Sequence, residues 1–267
     1  MSSYQAPLDR LMKLGAEPAR RRQWPDYRHL GLTDRHVSAL IGIATDPALH
    51  AAGEKDRAAW APVHAWRALA QLGATQAVAP LLALLGRETE SAWVHDEVPA
   101  VLGMIGPAAL TGATLLLFDE DRGEPLRVAA ARVIADVAHE HPERRDEAVA
   151  VLAKQLEDWA HQGPTLNAFL VGYLAELDAG DAAPAMEAAF AAGAVDLSVN
   201  GDWEDVRIAM GLLDERITPP TQWSPLDLDG DEPPPSGRVD RSGTNAGARA
   251  RQRRKAQKQS RKRNRRK

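Results

Sequence analysis

Between Leu32 and Arg216 the apolar residues return at spacings of three, four and seven, the intervals that set them on one stripe of an α-helix. Val37, Leu40, Ile41 and Ala44 form the first stripe, and Val78, Leu81, Leu82 and Leu85 the second. Val98, Val101, Leu102 and Ile105 follow, then Leu170, Tyr173, Leu174 and Leu177, and last Val206, Ala209, Met210 and Leu213. No segment alternates with a period of two for long, so strands have no comparable claim. Aromatic residues are only 5% of the chain while Ala and Leu abound, which favours helices packed closely through small side chains. The chain is predicted to be all-α.

The turn signals recur as well. Leu72-Gly73 closes one helix and Ile105-Gly106-Pro107 closes another 33 residues later. Each Gly stands where the residue after a helix takes positive φ, and each is followed by a second helix. Asp178-Ala179-Gly180 reads as a third instance, with Gly180 in that role. Leu126 to Ala138 and Arg145 to Leu156 form one more pair, parted by His141-Pro142, where Pro blocks continuation. Helix pairs of about 33 to 40 residues that bury their stripes only against neighbours describe an α-solenoid.

The stretch from Pro62 to Leu85, PVHAWRALAQLGATQAVAPLLALL, resembles the HEAT-like repeat of phycobilisome lyases: an Ala-rich helix, Leu-Gly, a short turn, then a Pro-Leu-Leu helix. Leu126 to Leu156 and Val94 to Phe118 are weaker copies. Over residues 8 to 216 the chain is also similar to uncharacterised bacterial HEAT-like proteins, through Trp24-Pro25-Asp26-Tyr27, Trp60-Ala61-Pro62-Val63-His64 and Gly201-Asp202-Trp203-Glu204-Asp205-Val206. The resemblance implies an α-solenoid of HEAT-like helix pairs and says little about function. Some such proteins end in a Cys-rich zinc motif of the SEC-C type. This chain has no Cys, so that zinc site is absent and a basic run takes its place.

Charge divides the chain in two. From Arg238 onward there are 14 basic residues and one acidic residue, which leaves 19 basic against 36 acidic before it. The expected organisation is an N-terminal segment, 1–31, packing on the solenoid; a repeat domain, 32–216; a linker rich in Pro, Gly and Asp, 217–247; and a disordered basic tail, 248–267. The tail carries Arg249, Arg251, Arg253, Arg254, Lys255, Lys258, Arg261, Lys262, Arg263, Arg265, Arg266 and Lys267, with no acid and no large apolar side chain among them. Each Lys or Arg that meets a phosphate releases condensed counterions, so these residues are the expected nucleic-acid-binding set. No aromatic side chain interrupts them to give a stacking platform for sequence reading. The competing reading is a tail that only solubilises or docks on its own acidic body.

The absence of Cys excludes a disulfide framework and every thiolate metal site. The chain start has no apolar signal region, and no stretch approaches 18 apolar residues, so the expectation is a cytoplasmic protein without integral membrane association. The tail also lacks the aliphatic anchors of stable surface attachment.

Candidate chemistry is sparse. His64 and His95, near Trp60 and Trp93 and with Asp96 and Glu97 beside the second, fall on successive repeats and could converge on one surface ridge as a His and carboxylate site. The stronger reading is that such His residues bond neighbouring turns and such Trp residues pack. His139-Glu140-His141 lacks the i, i+4 spacing of a zincin pair. Asp202, Trp203 and Asp205 stand before the last stripe, where Asp202 reads as a helix cap and a carboxylate pair has no partner base. No nucleotide-binding glycine loop or nucleophile elbow occurs, and neither a catalytic residue nor a cofactor is expected. The sequence therefore points to a non-enzymatic adaptor with an acidic repeat body for an unidentified protein partner and a tail for nucleic acid or ribonucleoprotein. The alternative is a HEAT-repeat enzyme of the lyase or glycosylase kind. A strongly acidic body suits the glycosylase poorly.

Overall fold

The polypeptide was analysed as a computed structural model, which describes residues 4–16, 24–53, 56–87 and 92–219. Among these there are α-helices and short 3-10 turns and no strand. The helices are α1 (Leu11–Leu14), α2 (Val37–Ala44), α3 (Pro47–His50), α4 (Ala61–Leu72), α5 (Val78–Leu85), α6 (Ala92–Ile105) and α7 (Ala108–Phe118). They continue with α8 (Glu124–Glu140), α9 (Arg145–Leu156), α10 (Pro164–Glu176), α11 (Ala183–Ala191), α12 (Leu197–Asn200) and α13 (Trp203–Met210).

The apolar stripes decide what packs on what. Alternate helices form one row, in which α2 packs on α4, α4 on α6, α6 on α8, α8 on α10, and α10 on both α12 and α13. The helices between them form a second row, α5 on α7, α7 on α9 and α9 on α11. The core between the rows runs without a break from Leu11 to Val206. In α8 the small residues Ala129, Ala130, Ala131, Ala135 and Ala138 are buried beside Val133, Ile134 and Val137, so this helix meets α6, α7, α9 and α10. Each fully buried Val, Leu or Ile contributes roughly 1.5–3 kcal/mol of transfer free energy. Small residues set the spacing: a Cβ on Gly103 of α6 would stand 2.7 Å from Cβ of Asp136 on α8.

Three of the stripes lie in the core with little change. All four residues of the second and of the third are buried, and in α10 Leu170, Leu174 and Leu177 are buried while Tyr173 is half-buried. In α2 Ile43 joins the buried residues Val37, Leu40 and Ala44, and Ile41 is half-buried. The last stripe differs most. Only Val206 is buried; Ala209 is exposed and α13 stops at Met210, capped by Gly211 at φ 73°. No further helix among the described residues stacks on α13, so the rest of that stripe has nothing to bury against.

The turns repeat one geometry. Gly73 takes φ 65°, its N–H reaches the Ala70 carbonyl, and the Ala74 N–H reaches that of Leu69. This pairing of 5→2 and 6→1 bonds satisfies the last carbonyls of a helix. Gly193 with Ala194 closes α11 in the same way. After α10 the left-handed residue is Asp178, at φ 53°, and not Gly180 as the sequence suggested. Asp is among the few side chains that tolerate this region, so the glycine is free to begin the next 3-10 turn at Gly180–Ala182.

The expected linker from residue 220 and the expected basic tail lie outside the described residues. No helix among the described residues is long and apolar enough to cross a membrane.

Candidate functional site

One stripe of α4 is polar where a solvated stripe would be ordinary, yet it is buried. His64, Arg67 and Gln71 follow one another at spacings of three and four, with Trp60 just before the helix. The N-terminal segment lies over them. His64 and Tyr27 are both fully buried, and the Tyr27 hydroxyl sits 2.7 Å from His64 Nδ1. His64 Nε2 lies 2.8 Å from the Gly15 carbonyl, which can only accept. The proton of the neutral ring is therefore on Nε2, and Nδ1 accepts from Tyr27. Burial is the main cause that holds His64 at a pKa of about 4, well below its usual value, and Arg67 adds to it. Gln71 completes the seam, giving its amide to the Pro25 carbonyl and accepting from the Tyr27 N–H.

Arg67 is fully buried beside His64. Its Nε donates to Glu97 of α6 at 2.8 Å and its Nη2 to the second oxygen of the same carboxylate. The guanidinium lies 4.9 Å from the centre of the Trp24 ring. Nη1 has no hydrogen-bond partner among the described residues. Above this pair, Trp60 and Trp93 meet edge to face at 5.2 Å.

Of the residues expected to share a ridge, the structure brings only Trp60 and Trp93 together. His64 is not on the surface. His95 and Asp96 are exposed, because the residue that α6 turns toward α4 is Glu97. The His and carboxylate site is thus replaced by an internal lock that ties the N-terminal segment and α6 to α4. Among the described residues no three His, Asp or Glu side chains are grouped to hold a metal ion. Glu97 was among the carboxylates noted beside His95, but its partner Arg67 was not singled out, although a lone arginine inside the apolar run from Pro62 to Leu72 signals a buried charge that must find a carboxylate.

Asp202 is a cap, as its position suggested. Its carboxylate accepts the N–H groups of Glu204 and Asp205, and Asp205 returns a bond to the Asp202 N–H. Arg216 closes on this box, with Nη2 2.6 Å from Asp202 and Nη1 2.6 Å from Asp205. Those two carboxylates, Asp202 foremost, hold the guanidinium above its usual pKa. Glu204 accepts the N–H groups of Ile217 and Thr218, and the Thr218 bond leads in lowering its pKa. Trp203 packs on Phe190 at 5.6 Å. These carboxylates fasten the end of the described chain to the start of α13 and have no base beside them.

A further surface has no counterpart among the residues picked from the sequence. The face of α4 that the N-terminal segment covers continues across α6, α8 and α10. There Ala100 and Met104, Arg132 and Asp136, and Phe169 and Tyr173 are all half-buried. Arg132 lies 3.7 Å from Asp136, and His139 lies 3.7 Å from Glu176 across the two helices. Phe169 and Tyr173 are 6.0 Å apart, and burial pushes the Tyr173 hydroxyl pKa up. The residues Arg249 to Lys267 lie outside the described residues. No protein-family model, no curated protein and no solved structure matches this chain.

Proposed function

We propose that the chain is a non-enzymatic HEAT-like adaptor: an α-solenoid body that binds a protein partner, with a cytoplasmic role in which the polybasic tail tethers it to nucleic acid or ribonucleoprotein. The division of charge carries this reading, 14 basic residues against one acid after residue 237 and a strongly acidic chain before it. The two-row packing, in which each helix meets the next but one, supports the solenoid. Four arginines of the body are spent internally, which supports the assignment of phosphate contact to the tail. Arg67 serves Glu97, Arg127 the Leu117 carbonyl, Arg145 the Leu177 carbonyl, and Arg216 the cap of α13.

The test is deletion of residues 238–267. The full chain is expected to be retained on an RNA or heparin column and to elute with salt, and the shortened chain to flow through. Equal retention of the two overturns the proposal.

A further inference from the structure

We propose that the arm formed by Arg249 to Lys267 docks reversibly on the face of α6, α8 and α10, so that the body holds it until a polyanion takes it. The inference rests on the reading of the arm as a nucleic-acid tether and adds its regulation.

The molecule already shows how it lodges an arginine. Arg67 lies with a tryptophan ring against its guanidinium and a carboxylate receiving its fork. The face of α6, α8 and α10 offers the same two kinds of partner, with Arg132 already seated near one of the carboxylates. Phe169 and Tyr173 supply rings, and Asp96, Asp136 and Glu176 supply carboxylates. Planar guanidinium stacks on such rings and pairs with carboxylates in a way that ammonium does not. Among the segments of this chain, the last 19 residues bring the longest run rich in arginine without acid, well beyond the short run Arg20-Arg21-Arg22. Arg132 partly neutralises Asp136, so the carboxylates left for an incoming cation are chiefly Asp96 and Glu176, both exposed.

Geometry puts the arm within reach. Arg216, Ile217 and Thr218 are fastened to the start of α13, and α13 packs on α10, the last helix of the open face. The chain therefore departs from the helix that adjoins α10. Residues 219–248 separate the clamp from Arg249, and at about 3.3 Å per residue they extend to roughly 100 Å, against a few tens of ångströms across three packed helices. A tethered segment meets such a surface at millimolar effective concentration. Exposed ion pairs are individually weak and screened by salt, whereas a polyphosphate rewards every cation with counterion release. The docked arm is thus exchangeable, and nucleic acid wins it.

A zero-length carbodiimide crosslink tests the contact directly, because it joins an amine only to a carboxylate it touches. In the full chain at low salt, Lys255, Lys258 and Lys262 are expected to join Asp96, Asp136 or Glu176 within one molecule, and single-stranded RNA is expected to abolish those links. Links scattered over carboxylates of other faces, or found only between copies, overturn the proposal. As a second measurement, Asp96→Asn with Glu176→Gln is expected to tighten RNA binding at low salt by about threefold, by removing the internal competitor, and to change nothing at 0.5 M salt. Unchanged affinity at low salt counts against docking. A full chain that binds no RNA refutes the tether reading instead, and the crosslinks then decide docking alone.

Discussion

Removing Glu97 exposes how the α4 to α6 lock works. Arg67 is fully buried, and a guanidinium does not shed its charge inside a protein. With Glu97→Met, two of its donors lose their acceptor, Nη1 has none among the described residues, and the Trp24 ring remains. An uncompensated buried charge of this kind costs about 3–5 kcal/mol. For a body of this size that lowers the melting temperature by roughly 6–20 °C, at 2–4 °C per kcal/mol. Replacing both partners, Arg67→Met with Glu97→Met, removes the charge along with its acceptor, and apolar pairs of similar volume are often neutral or stabilising. The double variant loses the ring contact, worth about 0.5–2 kcal/mol, and should sit within that range of the parent. Urea or thermal unfolding followed by circular dichroism on the four proteins gives the coupling energy, expected to be at least about 2 kcal/mol. A double variant as unstable as Glu97→Met, or a single variant that costs under about 1 kcal/mol, refutes the account of a charge stranded by loss of its partner.

Two further perturbations test other parts of the fold. His64 is held at about 4 when folded and returns to about 6.5 when unfolded, so above pH 6.5 it is neutral in both states and contributes no pH dependence. Between those values only the unfolded chain takes the proton, and stability falls by up to about 1.4 kcal/mol per unit of pH, or about 2 kcal/mol from pH 7 to pH 5. His64→Gln should flatten the dependence of the urea midpoint in that window; parallel profiles for the two proteins rule out His64 as its source. Gly103→Ala drives a methyl into the Asp136 backbone, whose carbonyl carbon would be 2.9 Å away, and should cost about 1–3 kcal/mol by separating α6 from α8. Gly42→Ala meets nothing within 4 Å inside α2 and should gain about 0.5–1 kcal/mol from helix propensity, so an equal sign for the two changes in unfolding experiments defeats the packing argument.

The interior of the stack was legible because each stripe is a local property. Val98, Val101, Leu102 and Ile105 are buried wherever a neighbour lies on that side, and both neighbours lie within a few dozen residues. Position along the chain also made Asp202 readable as a cap, since a cap depends only on the next three residues. His64 was not readable in the same way. Its partners are Tyr27 and Gly15, the latter 49 residues away, and helical periodicity carries no information about which distant segment will cover a stripe. That is why the sequence favoured a histidine bonded to a neighbouring turn over a surface ridge, yet did not show that the segment it bonds is the distant N-terminal one. Gly180 misled for a different reason: glycine is the commonest left-handed residue after a helix, but Asp178 meets the same requirement two residues earlier.

The two parts of the stripe differ in which side brings the rings. On α4 the helix supplies Arg67 and His64 and the covering segment supplies the rings of Trp24 and Tyr27. On α8 and α10 the helices supply the rings and the carboxylates together with Arg132, so an arginine-rich occupant adds cations to seats that Arg132 fills only in part. If the arm is that occupant, any protein that presents an arginine-rich segment competes with it for the same seats. Release of the arm by nucleic acid then opens the face to the protein, and binding of the protein frees the arm for nucleic acid. The two affinities must rise by the same factor, because the coupling free energy between two ligands of one molecule is reciprocal. On the proposed docking, a helical stack that covers the first part of this stripe with its own N-terminal segment and leaves the rest to the tethered arm couples its two proposed partners through one face.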